Sequence, residues 1–278
     1  MPPSEALRKA LQLMQEGRLQ QAEAQLRRII QREPRNADAF HVLAGTLMHA
    51  GQPGPAIFFA QRSVDLSPHN AGYLTLLACA LAGQQHWDQV VDAASRAITV
   101  DPSATDAHNA LGAALLALNR PADSLLPLET ANRLSPGSAG PEFNLGRACL
   151  LTGDSKRAVE LLSLAVAHDP GNPRTASFLA SAVNYADGIT PTQVRELHQR
   201  AAALIEAAAG TSKSPAPLHR IQTFDPRRAL RIGLLSPDLH THSVSFFLEP
   251  ILEFADRARL FIACYHTAPT ADDVTSRL

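Results

Sequence analysis

Five prolines stand at positions 34, 68, 102, 136 and 170, so each interval is 34 residues. The chain holds 20 prolines in 278 positions, and five on one comb is not a chance spacing. Their neighbourhoods agree: "QREPRN", "DLSPHN", "TVDPSA", "RLSPGS" and "AHDPGN". A fixed period of this length means a stack of small supersecondary units. None of these can bury its apolar face alone, so each leans on its neighbours.

Units starting at 3, 37, 71, 105 and 139 can be laid over one another. The eighth position, where two helices must cross closely, reads Ala10, Ala44, Ala78, Gly112 and Gly146. The position before it reads Leu43, Leu77, Leu111 and Leu145 in the last four units. The twentieth position is also small or short: Ala22, Ala56, Val90, Ser124 and Ala158. The turn between the helices carries Gly17, Gly51 and Gly153, with Gln85 and Asn119 in the other two units. Gly and Asn suit the left-handed conformation that ends a helix. Second helices show apolar spacing of three and four, as in Ala158, Leu161, Leu162, Ala165 and Val166. This pattern resembles the tetratricopeptide repeat in register over residues 3–172. It implies a mainly α chain built as an α-solenoid, with first helices lining a concave groove. Such a groove fits a protein or peptide partner. Candidate groove residues are His41, Thr75, Asn109, Asn144 and Arg147; as single residues they read equally well as ordinary solvated positions.

Helical patterning continues over 174–186, closing a repeat region at 3–186. A connecting helix is expected within 187–209, with Thr190 as N-cap and Pro191 in its first turn. Residues 210–229, "GTSKSPAPLHRIQTFDPRRA", lack apolar periodicity and read as a linker. From 230 the pattern changes. "LRIGLLS" reads as a buried strand, "SVSFFLEPILEFA" as a helix kinked by Pro250, and "RLFIACYHT" as a second strand. "TADDVTSRL" would open another helix, with Thr270 as its cap. Strand–helix–strand at this spacing predicts a βαβ unit with parallel strands. Parallel sheets need both faces covered, so residues 230–278 are expected to be the start of a larger, incomplete α/β (Rossmann-like) domain.

The order of these features, with "SPDLHTHSVSFFLEP" (236–250) and "LFIACYHT", resembles the bacterial relatives of the protein O-GlcNAc transferase (SPINDLY-type) family. The resemblance covers nearly the whole chain. It implies a GT-B glycosyltransferase that moves N-acetylglucosamine from UDP-GlcNAc to Ser or Thr of proteins, with the repeats presenting the substrate. No bound metal or other cofactor is implied; UDP-GlcNAc is the donor substrate. The family's active-site histidine carries over to His242, with a base or positioning role, and the motif acid to Asp238. Asp238 is expected to hold the loop as an Asx turn. A histidine near neutral pKa suits proton handling at a hydroxyl. A βα loop at the carboxyl end of parallel strands is where α/β ligand sites form, and the helix N-terminus there offers N–H groups for anionic oxygens. The plain alternative makes His242 only a helix cap. The second lobe is absent, and the resemblance places the UDP site largely there, so these 278 residues alone are expected not to turn over. The family's arrays carry paired asparagines in first helices, whereas "AHNALG" and "EFNLG" keep only Asn109 and Asn144.

Other chemistry finds little support. His240 and His242, two apart beside Asp238, are a weak metal pattern; His266 ends the second strand and could face the same crevice. There is no Gly-rich phosphate loop. A net charge of −1, from 25 basic and 26 acidic residues, makes no electrostatic case for nucleic acid or an anionic membrane. No run of about 18 apolar residues predicts a membrane span, and the N-terminus has no secretory h-region. Cys79, Cys149 and Cys264 are far apart in apolar surroundings, which fits reduced thiols in a cytoplasmic location. The rival to the transferase is a non-catalytic tetratricopeptide scaffold with a relic catalytic segment.

Overall fold

The computed structural model describes residues 4–208, 230–236, 238–267 and 271–277. The chain forms two compact units, 1–211 and 212–278. The linker expected at 210–229 lies outside the described residues.

The first unit is a run of antiparallel helix pairs: α1 (Glu5–Gln15) with α2 (Leu19–Arg32), α3 (Ala37–His49) with α4 (Pro53–Leu66), and α5 (Ala71–Gly83) with α6 (Trp87–Val100). The series continues with α7 (Thr105–Ala117) and α8 (Pro121–Leu134), α9 (Ala139–Leu151) and α10 (Ser155–His168), then α11 (Pro173–Ala182) and α12 (Pro191–Ala208). Helices α3, α5, α7 and α9 begin at 37, 71, 105 and 139, which are the unit starts read from the sequence. The period persists one step further, because α11 begins at 173. Each proline of the comb falls in the short loop after a second helix, where its missing N–H and fixed φ stop the helix at no cost to a ladder. Asn36, Asn70 and Asn172 then cap the next first helix, their side chains accepting from Ala39, Tyr73 and Thr175 amides. A 3₁₀ turn, Val183–Tyr185, ends α11. Thr190 and Gln193 cap α12 reciprocally, with Thr190 N donating to Gln193 Oε1 at 2.9 Å and Gln193 N to Thr190 Oγ1 at 3.3 Å.

The eighth and twentieth positions are fully buried alanines in most units: Ala10, Ala44 and Ala78 on first helices, Ala22, Ala56 and Ala158 on second helices. First helices touch each other along the stack from α1 to α11, while each second helix packs mainly on its own partner and on the first helix that follows. First helices therefore line the inner face. Helix α12 closes the series by packing Ala201 against Ala176 and Ala180. Cys149 is buried, and burial beside Asp106 pushes the Cys79 thiol up to about 11, so it is a weak nucleophile.

All five inter-helix turn residues have positive φ: Gly17 (74°), Gly51 (70°), Gln85 (60°), Asn119 (57°) and Gly153 (91°). Glycine takes this region freely, whereas Gln85 has a Cβ that opposes it. Gln85→Gly is expected to raise the stability of the array by roughly 0.5–1 kcal/mol. Chemical denaturation of the two chains, compared at equal m-value, checks this.

The second unit is small. Strand β1 (Leu230–Ser236), helix α13 (Ser243–Phe254), strand β2 (Leu260–His266) and a short helix α14 (Asp273–Arg277) follow in order. The strands are parallel, pairing Leu230 with Leu260 and Ser236 with His266. The helix runs through Pro250 to Phe254, so proline does not terminate it. Among the described residues the sheet has these two strands and no more. Several large apolar side chains are consequently exposed, including Phe246, Phe247, Ile251 and Phe254 on α13 and Leu235 on β1.

Candidate functional site

Each unit presents one candidate site. In the second unit it is the β1–α13 loop, residues 236–242, at the carboxyl ends of the two parallel strands. Leu239, only 1% exposed, pins the loop to the unit. The buried Ser245 hydroxyl lies 2.7 Å from the His240 carbonyl and 2.6 Å from that of His242. His242 caps α13: the Val244 amide donates to its Nδ1 at 3.2 Å, and its own amide donates to Ser245 Oγ at 3.4 Å. A ring nitrogen that accepts an N–H carries no proton, so the neutral imidazole holds its proton on Nε2. The ring is exposed, and in this state His242 offers a hydrogen-bond donor outward rather than a base. The cap also engages amides expected to be open to an anion: Val244 N meets His242 Nδ1, and Ser245 N donates to the His242 carbonyl at 3.1 Å.

Asp238 does not make the expected Asx turn. Among the described residues its carboxylate accepts no hydrogen bond, and its amide instead donates to Ser236 Oγ at 3.0 Å. The loop is held by Asp272, which sequence reasoning missed. Asp272 Oδ2 accepts from the Thr241 amide at 2.8 Å and the Thr241 hydroxyl at 2.7 Å. Its Oδ1 accepts the Thr275 amide at 3.0 Å. Asp272 thus caps α14, the role expected of Thr270, which lies outside the described residues. The available signal was an acid directly before a helical stretch. Hydrogen bonds from Thr241 and Thr275 hold the Asp272 carboxyl well below the usual carboxylate range. Because that pKa is depressed, the tie is fully present above the ordinary carboxylate pKa and is lost only as pH falls through the depressed value. Asp272→Ala is expected to speed hydrogen exchange of the Thr241 amide roughly tenfold at neutral pH. In the parent chain its protection should persist below pH 4.

The His240 ring lies 5.7 Å from that of His242 and 6.3 Å from that of His266, centroid to centroid. The strand-end histidine therefore does share the loop's neighbourhood. No group of three His, Cys, Asp or Glu among the described residues is arranged to hold a metal ion.

In the first unit the candidate site is the inner face of the first helices. Asn109 on α7 and Asn144 on α9 are brought together: Asn144 Nδ2 donates to Asn109 Oδ1 at 2.9 Å. The spacing of 35 repeats between α3 and α5, where the Tyr73 hydroxyl donates to Asp38. Burial and this carboxylate raise the Tyr73 pKa well above its ordinary value. Such bonds brace neighbouring first helices and leave each asparagine with further donor and acceptor capacity. Thr75 is turned back, its hydroxyl donating to the Ala71 carbonyl at 2.8 Å. The His41 ring lies tilted against that of Tyr73 with centroids 4.9 Å apart, and burial lowers its pKa against the opposing pull of Asp38. Arg147 stands among aromatic rings rather than acids. Its guanidinium carbon is 5.6 Å from the Phe143 centroid and 5.1 Å from that of Phe178.

Models of the tetratricopeptide repeat match residues 13–80 and 75–139. A probable UDP-N-acetylglucosamine–peptide N-acetylglucosaminyltransferase SPINDLY of Petunia hybrida is 45% identical over 53 residues, 19% of this chain and 6% of that protein. The O-GlcNAc transferase of Thermobaculum terrenum, solved as a K341M mutant, superposes with a TM-score of 0.54 at 26% identity over 74% of this chain. The chain spans 39% of that structure's length. YrrB, described as a tetratricopeptide protein with an unusual peptide-binding site, shares the fold at 17% identity, TM-score 0.51, covering 64% of this chain and 91% of its own. No helix among the described residues is long and apolar enough to cross a membrane. Residues 13–139 are thus matched as tetratricopeptide repeats, in a chain similar to a bacterial O-GlcNAc transferase.

Proposed function

We propose that this chain is the substrate-presenting array and the opening of the first catalytic lobe of a protein O-GlcNAc transferase of the GT-B, Rossmann-like type. The observation that carries the reading is one loop. His242 sits exposed at the carboxyl end of two parallel strands, capping the next helix, in a chain whose array is similar to a solved transferase. Exposed apolar side chains on α13 and β1 support it, because a parallel sheet is stable only when covered. Further strands and helices of the lobe, beyond these residues, would supply that cover.

In this reading the repeats hold an extended protein segment along the first helices and deliver a Ser or Thr hydroxyl to the βα loop. UDP-GlcNAc is the donor, and its nucleotide binds mainly to the second lobe. The Nε2–H of His242 donates a hydrogen bond to an oxygen of the donor or acceptor as charge shifts onto the leaving diphosphate. Asp272 acts through Thr241 by fixing the loop, and is a positioning residue. Asp238 is left free to meet a ligand or a neighbouring element.

The test uses the gene product with any residues that follow Leu278. UDP binding and transfer of N-acetylglucosamine to Ser or Thr of a protein support the reading. Neither binding nor transfer nor hydrolysis of UDP-GlcNAc would overturn it, in favour of a non-catalytic repeat scaffold.

A further inference from the structure

The last two first helices carry two arginines that have no acid to answer them. Arg147 on α9 and Arg174 on α11 both lie against Phe143, their guanidinium carbons 5.6 and 5.1 Å from its centroid. Neither makes a salt bridge among the described residues. The one acid on α9, Glu142, is buried and bonded to His168 Nδ1 at 2.7 Å, and α11 has none. Arg147 Nε is buried without a hydrogen-bond acceptor. A half-buried guanidinium in this condition is costly, and native proteins keep such groups paired. Burial and the like charge of Arg174 lower the Arg147 pKa, which has the same origin.

Beside the pair is a hollow of about 300 Å³ lined by Pro173, Arg174, Ser177, Phe178, Ile205 and Ala208. Arg174 and Phe178 belong to both features. A ligand here meets positive charge and apolar surface within one side chain's reach. Arg147 lies over both Phe143 and Phe178 and Arg174 over Phe143, so rings rather than acceptors meet the two guanidinium groups, whose fork of N–H donors is suited to grip a carboxylate in two-pronged fashion.

We propose that Arg147 and Arg174 form a receptor for an acidic side chain, Asp or Glu, of a peptide bound along the first helices, with the hollow taking an apolar residue next to it. The acid supplies the missing counter-charge, and the apolar neighbour covers Phe178 and Ile205. This deepens the groove-binding part of the function proposed above and does not depend on sugar transfer.

The experiment is fluorescence anisotropy on the full chain at low salt, without nucleotide sugar. The probe is a short labelled peptide containing Glu-Leu pairs, amidated at its C-terminus. Comparison peptides replace Glu by Gln or by phosphoserine. The Glu peptide is expected to bind about tenfold more tightly than the Gln peptide, and the preference should fade with added salt. Arg174→Gln, at an exposed position that tolerates change, should remove most of the preference; Arg147→Gln should remove it fully. Thermal melts show whether Arg147→Gln is folded, and Arg174→Gln decides the matter if it is not. Equal affinity for the Glu and Gln peptides would overturn the proposal. So would a preference that survives Arg174→Gln, or binding of the phosphoserine peptide alone. Loss of sugar transfer with the peptide preference intact would refute only the transferase reading.

Discussion

Gly112→Ala is expected to destabilise the repeat array by about 1–3 kcal/mol, although the new side chain is one methyl group. A Cβ built there stands 2.3 Å from Leu128 Cγ and 2.4 Å from Cδ2. Leu128 is fully buried, so the added methyl must be met by a shift of packed side chains. The chain itself explains why. The eighth position of each unit faces the residue sixteen further on. In the second and third units the two are Ala44 with Ala60 and Ala78 with Ala94; in the fourth and fifth they are Gly112 with Leu128 and Gly146 with Leu162. Volume is conserved across the helix crossing: two medium residues, or one absent side chain and one large one. Ala10 with Leu26 combines both only in the first pair, at the end of the stack. Leu128→Ala alone should cost about 2–5 kcal/mol through the cavity it leaves. The double variant Gly112→Ala with Leu128→Ala rebuilds the crossing of the second and third units. Its loss should be clearly smaller than the sum of the single losses. Denaturant melts of the four chains make the cycle, and strict additivity would refute the volume argument.

The second large effect concerns His242. In a gene product that transfers sugar, His242→Ala should lower turnover about 100-fold or more, within the range for a side chain that handles charge or a proton at the reacting group. UDP binding should change little, because the proposed function places the nucleotide mainly on the second lobe. Alanine also removes the α13 cap, at a cost of roughly 1 kcal/mol, and that loss could masquerade as a chemical role. His242→Asn separates the two. Asparagine is a good cap through its side-chain oxygen but has no Nε2–H at the same reach. It should restore stability and leave turnover low. If Asn restored turnover, His242 would be a cap and no more.

How much of this was legible beforehand differs between the units. In the array, periodicity sufficed. The proline comb and the eighth and twentieth positions report backbone crossings, which depend on residue size and not on rotamer. Even Gln85 and Asn119 were readable as turn residues, because the repeat register demanded a left-handed residue at their places. Side-chain partnership was not readable. Nothing in "AHNALG" or "EFNLG" says that Asn109 and Asn144 bond to each other, since that depends on how far one first helix is rotated against the next. Arg147 looked like a solvated groove residue. Its setting comes from Phe143 four residues before it and from Phe178 on another helix.

In the second unit, the strands and α13 followed from the apolar runs and their bounding residues: β1 has the expected ends, and α13 and β2 end within about one residue of theirs. Asp238 drew the loop-holding role because it is near in sequence. Asp272 has it because β2 brings the start of α14 back beside Thr241, a long-range consequence of parallel pairing that local motifs do not encode. The tautomer of His242 likewise emerged only once Val244 N was seen to donate to Nδ1.

The central claim is that the repeat array and the His242 loop belong to one sugar-transfer machine. Incorporation of labelled N-acetylglucosamine from UDP-GlcNAc into protein, by the gene product with any residues beyond Leu278, tests it most directly. Transfer to Ser or Thr in the parent, near-abolition with His242→Asn, and UDP binding retained in both are predicted. A gene product that folds, binds peptide through its repeats and neither binds UDP nor transfers or hydrolyses UDP-GlcNAc would contradict it.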